Sequence, residues 1–206
     1  MKRPPVLATT IVLLAVVAMV ALGVWQLDRR GEKAVLIARY AANLDLPPMA
    51  FPELAPVAPE AMFRKSQLTC LRVAKWRIEG GRTPSGVAGY RHIAECVTGA
   101  EGPGALIDLG VSIDPAQKIV WTGGRVAGVI TTEPSHESLI GRLFGTATPL
   151  RPMLVSDAPA PGLAASAAPD PASIPNNHFA YAMQWFVFAG LALLIYGLAL
   201  RRRHER

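Results

Sequence analysis

Two uncharged apolar runs frame this chain. The first is Val6 to Trp25, 20 residues long; the second is Phe179 to Leu200, 22 residues long. About 20 apolar residues in a helix cross a hydrocarbon core ~30 Å thick. The runs therefore predict transmembrane helices at 6–25 and, starting from the boundary residue His178, at 178–200. The basic tail 201–206, with Arg201, Arg202 and Arg203, stops the second. A basic start before an apolar run also describes a secretory signal peptide, and Ala21-x-Gly23 mimics a cleavage site. Signal h-regions run to only about 7–15 residues, so an uncleaved anchor is expected. No Arg/Ser-rich presequence precedes it, which points to a bacterial protein.

The interior changes its pattern several times. Residues 26–46 carry Leu27, Val35, Leu36, Tyr40 and Leu44 among Arg30, Glu32, Lys33 and Arg39, the mark of a juxtamembrane helix ended by Pro47-Pro48. Residues 47–156 then read as a β-rich domain. Candidate strands lie at 69–78, 90–97, 105–111, 125–130 and 150–156, separated by Gly/Pro turns. Residues 157–177 form a Pro/Ala-rich tether. The expected fold is a membrane protein of α+β class. Two transmembrane helices flank a small, mainly antiparallel extracytoplasmic β domain.

Charge fixes an orientation. Between Ser156 and His178 there is no Lys or Arg, whereas Arg201, Arg202, Arg203 and Arg206 follow the second run. Basic residues favour the cytoplasmic side, so the C-terminus is expected inside. The first run is less one-sided, with Lys2 and Arg3 before it and Arg29, Arg30, Lys33 and Arg39 after it. Two spans place both termini on the same side, so residues 1–5 are also read as cytoplasmic and Gln26 to Asn177 as outside. The formal net charge of +6 is mostly this terminal and juxtamembrane arginine. With no basic stripe interleaved with aromatics, the partner it implies is a lipid bilayer and not nucleic acid.

Chemistry-bearing residues are few. There are two cysteines, Cys70 and Cys96. A disulfide, two buried thiols and a transient copper site are the alternatives. A hairpin centred near Pro84 sets Cys70 close to Cys96, and the spacing matches no metal motif, so a disulfide between neighbouring strands is expected. Glu133, His136 and Glu137 cluster without a nucleophile, His92 falls in a strand, and no catalytic constellation is present, so no enzyme is expected. His178 differs from these. A titratable, metal-competent side chain at a membrane boundary is a candidate functional residue.

Two motifs carry a family resemblance. Leu22-Gly23-Val24-Trp25-Gln26-Leu27-Asp28-Arg29 with Lys33 resembles the LGxWQLxR…K signature of the Surf1 family, also called Shy1. Asn176-Asn177-His178-Phe179-Ala180-Tyr181-Ala182-Met183-Gln184-Trp185-Phe186 resembles its NNHxxYAxQWF signature, and Pro169-Asp170-Pro171 also looks like family. Where many members show NRGW, this chain has Asp108-Leu109-Gly110-Val111, which retains only Gly110. The resemblance implies a plasma-membrane assembly factor for cytochrome c oxidase. Such a factor helps deliver haem a to the catalytic subunit, alongside haem A biosynthesis enzymes. His178 is then the contact to haem iron. Tyr181, Ala182 and Trp185 share its helix face, with Ala182 leaving room. Trp25 and Gln26 stand at the outer end of the first span, and Arg29 is a candidate partner for a propionate. Gly23, Gly190 and Gly197 are candidates for close helix approach. A cofactor-free scaffold that holds oxidase subunits through the β domain is the alternative.

The orientation is directly testable. A reporter active only outside the cytoplasm should be silent when fused after Arg206 and active when inserted in the 47–156 domain; the reverse pattern would overturn the topology.

Overall fold

A computed structural model describes residues 5–100, 102, 104–136, 145 and 148–205; Glu137 and Arg206 lie outside the described residues. The chain divides into a helical unit, Met1–Ile37 with Ile174–Arg206, and a sheet unit, Ala38–Ser173.

In the helical unit, α1 spans Val6–Asn43 and α2 spans His178–Glu205. Pro5 stands just before α1, where its missing N–H is no loss, and its carbonyl accepts from Thr9 N at 3.0 Å. Both helices are long and apolar enough to cross a membrane. Leu7, Leu14 and Val17 stay exposed at 76%, 65% and 64%, as lipid-facing side chains should. Up to Gln26, the less exposed positions of α1 are Thr9, Val12, Val16, Met19, Gly23 and Gln26, alternately three and four residues apart. That spacing is a heptad seam. On α2 the matching positions are His178, Ala182, Trp185, Phe186, Ala189, Ala192 and Tyr196. The helices run antiparallel: Thr9 Oγ1 is hydrogen-bonded to Tyr196 Oη, and Gln26 meets His178. Between these ties, a Cβ on Gly23 would come within 2.4 Å of the Phe186 ring, so any larger residue would push that ring aside. Gly190 and Gly197 have nothing within 4 Å of a built Cβ and do not set the approach.

The juxtamembrane helix expected at 26–46 is the continuation of α1, because nothing after Gly31 breaks it. It ends at Asn43, whose buried Nδ2 donates to the carbonyls of Pro59 at 2.9 Å and Met62 at 2.8 Å. Beside this end, Tyr40 stacks at a tilt on Phe63, with ring centroids 5.1 Å apart.

The sheet unit holds β1 (Met49–Ala50), β2 (Lys65–Cys70), β3 (Arg72–Arg82), β4 (Ala88–Val97), β5 (Ala105–Ser112), β6 (Gly124–Thr132) and β7 (Pro152–Ser156). Their order is β1-β2-β6-β7-β5-β4-β3. Among the described residues, only β1/β2 and β5/β7 are parallel; the other pairs are antiparallel. Two apolar helices flanking a mainly antiparallel sheet is the class that the hydropathy pattern implies.

The expected strand 69–78 is two strands. Leu71 divides them: β2 pairs with β6, and β3 pairs with β4. One residue thus carries the chain from β2, second in the sheet order, to β3 at its far end, and the sheet must curl to allow it. Leu71 N donates to Val97 O at 2.9 Å, and Val73 N to Thr122 O at 3.3 Å, so both edges meet at this corner. Cys70 and Cys96 are bonded here, with Cα atoms 5.3 Å apart. The bond does not join neighbouring strands. It links β2 to β4 across the meeting edges, while within the β3–β4 hairpin Cys96 faces Val73.

Cys70, Ala94, Cys96, Ile107, Leu109, Ile130 and Leu154 fill the core. Full burial of an aliphatic side chain stabilises by about 1.5–3 kcal/mol. Part of the 157–177 tether packs on the sheet. Ala160 and Leu163 lie in that core, Ala164 bridges Val111, and Ala167 N donates to Arg82 O at 2.8 Å. Alanine and proline are small and pre-extended enough to close over the sheet. Gly110 permits this crossing: its φ is +129°, and a Cβ would lie 2.5 Å from Ala164 O.

The disulfide closes a loop of 26 residues. Replacing both cysteines with alanine should lower sheet-unit stability by about 3 kcal/mol, read as a lower denaturant midpoint of tryptophan fluorescence. An unchanged midpoint, or two free thiols by mass spectrometry of the parent, would contradict the cross-link.

Candidate functional site

At one end of the helix seam the two motif segments meet. Asn177 precedes α2, and its carbonyl accepts from Tyr181 N at 3.3 Å. That fixes the first turn, so the side chain of His178 projects from the helix start towards α1. His178 Nδ1 lies 2.7 Å from Gln26 Oε1. Asn176 Nδ2 donates to the Arg30 carbonyl at 3.3 Å, and the Arg30 guanidinium sits 4.8 Å from the centre of the Phe179 ring. Gln26 and Arg30 are one turn apart on α1, so a single helix face receives Asn176, His178 and Phe179. These contacts are polar or cation–π, the kinds that still favour association where lipid replaces water.

Not all the expected site residues converge. Gln26 and His178 touch. Trp185 lies on the seam, edge-on to Phe188 at 6.4 Å between ring centroids. Ala182 is fully buried in the seam. Tyr181 and Trp25 stand off the seam at 51% and 52% exposure, since each is displaced from the seam spacing by one residue. Arg29 is likewise turned outwards and paired with Glu32 one turn on. Arg30, which the sequence reading passed over, is the arginine held at the His178 end. Its position four residues after Gln26 was the available signal. Thr9 and Tyr196 were also missed; both are polar side chains inside apolar runs.

The chemistry open to this arrangement follows from the imidazole. With Nδ1–H donating to the Gln26 carbonyl oxygen, Nε2 carries the lone pair. Among the described residues no group of three or more His, Cys, Asp or Glu could hold a metal ion. One imidazole nitrogen is enough only for a metal whose other positions are filled by its own macrocycle, as in haem.

The sheet unit has polar clusters of a different character. Glu133 binds Arg77 at 3.0 Å and accepts from Arg151 N at 2.9 Å, while His136 meets Glu79 at 3.2 Å. These acids are committed to structure. His92 is 2% exposed and bonded to Ser112 Oγ at 2.8 Å; burial lowers its pKa, against the opposing charge of Asp108. Asp108 is 1% exposed. Its Oδ1 accepts from Ser166 Oγ at 2.6 Å and from Gly110 N at 3.1 Å. Its Oδ2 faces Arg91 at 3.6 Å, an ion-pair distance too long for a hydrogen bond. Burial raises its pKa above 3.8 despite Ser166 and Arg91. A groove of about 410 Å³ lies beside Trp76 and Trp121, with Arg72 and Lys75 at its margin.

Comparison with known proteins gives one family match. The model of the SURF1 family matches residues 13–190, most of the chain and both motif segments. No curated protein sequence matches.

Asp108 generates a pH prediction. The folded state holds its proton more tightly than the unfolded chain does. Its contribution to stability is thus full below the unfolded pKa and is lost as pH rises through the raised folded value. Asp108→Asn keeps the Oδ1 acceptor without the charge. Its melting temperature relative to the parent should rise from acidic to neutral pH; a difference that stays flat or falls would show that Arg91 compensates the buried charge.

Proposed function

The chain belongs to the SURF1 family, and from that premise we propose that it receives haem a at His178 and passes it to the catalytic subunit of a cytochrome c oxidase. The family is one of oxidase assembly factors, so its general role is assembly and not catalysis. Haem a would be cargo here, held through its iron by the His178 imidazole. The chain's part is to hold an imidazole at the membrane boundary with one nitrogen free. The His178–Gln26 pair carries this reading. Exposed aromatics at the same level, Trp25, Phe179 and Tyr181, offer flat apolar surface to a porphyrin face. Arg30 takes the place first given to Arg29 as the cation for a propionate.

The setting proposed with it is a bacterial plasma membrane, with both termini cytoplasmic and the sheet unit outside. Haem A biosynthesis enzymes are the expected donors. The cofactor-free scaffold remains the second reading, and the groove at Trp76 and Trp121 favours it as a surface for an oxidase subunit.

Titrating the purified full chain with hemin separates the two. The parent should develop a shifted Soret band at about one haem per chain, and His178→Ala should lose it. The second span should stay inserted, because a boundary position carries little insertion cost. An identical Soret titration in His178→Ala would remove His178 from the site and leave the scaffold reading.

A further inference from the structure

The nitrogen that faces Gln26 is Nδ1, and this determines which nitrogen is left to act. Gln26 Oε1 is 2.7 Å from His178 Nδ1. An amide oxygen can only accept, so Nδ1 must carry the proton, and the neutral ring then has its lone pair on Nε2. Gln26 is itself fixed. It sits on the seam one turn beyond Gly23, where the Phe186 ring fills the space that a Cβ would take. One turn further on, the Arg30 carbonyl holds Asn176 and the Arg30 guanidinium packs on Phe179, the two residues that bracket Asn177 and His178. Helix spacing, glutamine and histidine thus form one unit with a single favoured ring orientation.

We propose that Gln26 is a positioning residue: it holds His178 in the Nδ1–H tautomer and aims Nε2 outwards before any ligand arrives. Its role is that of the second-layer acceptors that orient metal-binding histidines, supplied here by the partner helix. Binding at His178 is then coupled to helix pairing, because the acceptor and the ligand lie on different helices. A separated pair would have a freely turning imidazole and a mixed tautomer. The claim rests on the haem reading for its purpose but not for its test, since the tautomer exists without haem.

The test uses the full chain in lipid nanodiscs, labelled with ¹⁵N-histidine, without haem, at mildly alkaline pH. His178 is assigned by its absence in His178→Ala. In the parent, Nδ1 should be protonated and Nε2 pyridine-like; a protonated Nε2 would overturn the proposal outright. Gln26→Leu should lose this preference, and Gln26→Glu, which still accepts, should keep it. A Gln26→Leu spectrum identical to the parent would also overturn it. In parallel hemin titrations, Gln26→Leu should weaken affinity by about 10- to 100-fold, with recovery in Gln26→Glu. If the tautomers behave as expected and hemin binds to none of the proteins, the positioning role stands and the haem reading falls.

Discussion

Two apolar helices in lipid have no hydrophobic reason to associate, since lipid tails are as apolar as leucine. The constraint behind this architecture is therefore the polar and steric complementarity along one seam. Thr9 with Tyr196 ties one end, Gln26 with His178 ties the other, and Gly23 admits Phe186 between them. Thr9 and Gln26 are about 26 Å apart along α1 at ~1.5 Å per residue, close to the ~30 Å of a hydrocarbon core. Both ties thus fall near the membrane faces. An interhelical hydrogen bond in a membrane contributes only about 0.6 kcal/mol on average. No single tie holds the pair, and close packing at the small residues has to act with them.

On the proposed reading, that arrangement is what lets a lone histidine serve as a site. An isolated imidazole at a boundary turns freely and offers either nitrogen. Held by Gln26, it offers one. The sheet unit contributes stability of a different kind. Its edges meet at Leu71, and its disulfide lies across the meeting. The chain can therefore pass from β2 directly into β3, far apart in the sheet order, without leaving an open corner.

Both spans were legible because uncharged apolar runs of this length seldom occur outside membrane helices. The seam within them was not. In a run apolar on every face, hydrophobic periodicity cannot mark the side that packs, so Arg29 was chosen over Arg30 and Tyr181 was placed beside His178. The turn at Leu71 was hidden for a related reason: alternation continues from β2 into β3, and only long-range pairing with β6 and β4 separates them. The parallel placement of β7 beside β5 and the closure by residues 157–167 depend on contacts far apart in sequence. His178 and Gln26 are visible as boundary residues whose two signatures should meet between the helices, and the structure supplies the contact itself, at 2.7 Å.

The most direct measurement is made where the protein acts. A strain lacking this chain is complemented with the parent or with His178→Ala at equal membrane levels, and the haem a absorbance of assembled oxidase is read in membranes. The account predicts recovery with the parent and little recovery with His178→Ala. Full recovery with His178→Ala would contradict it.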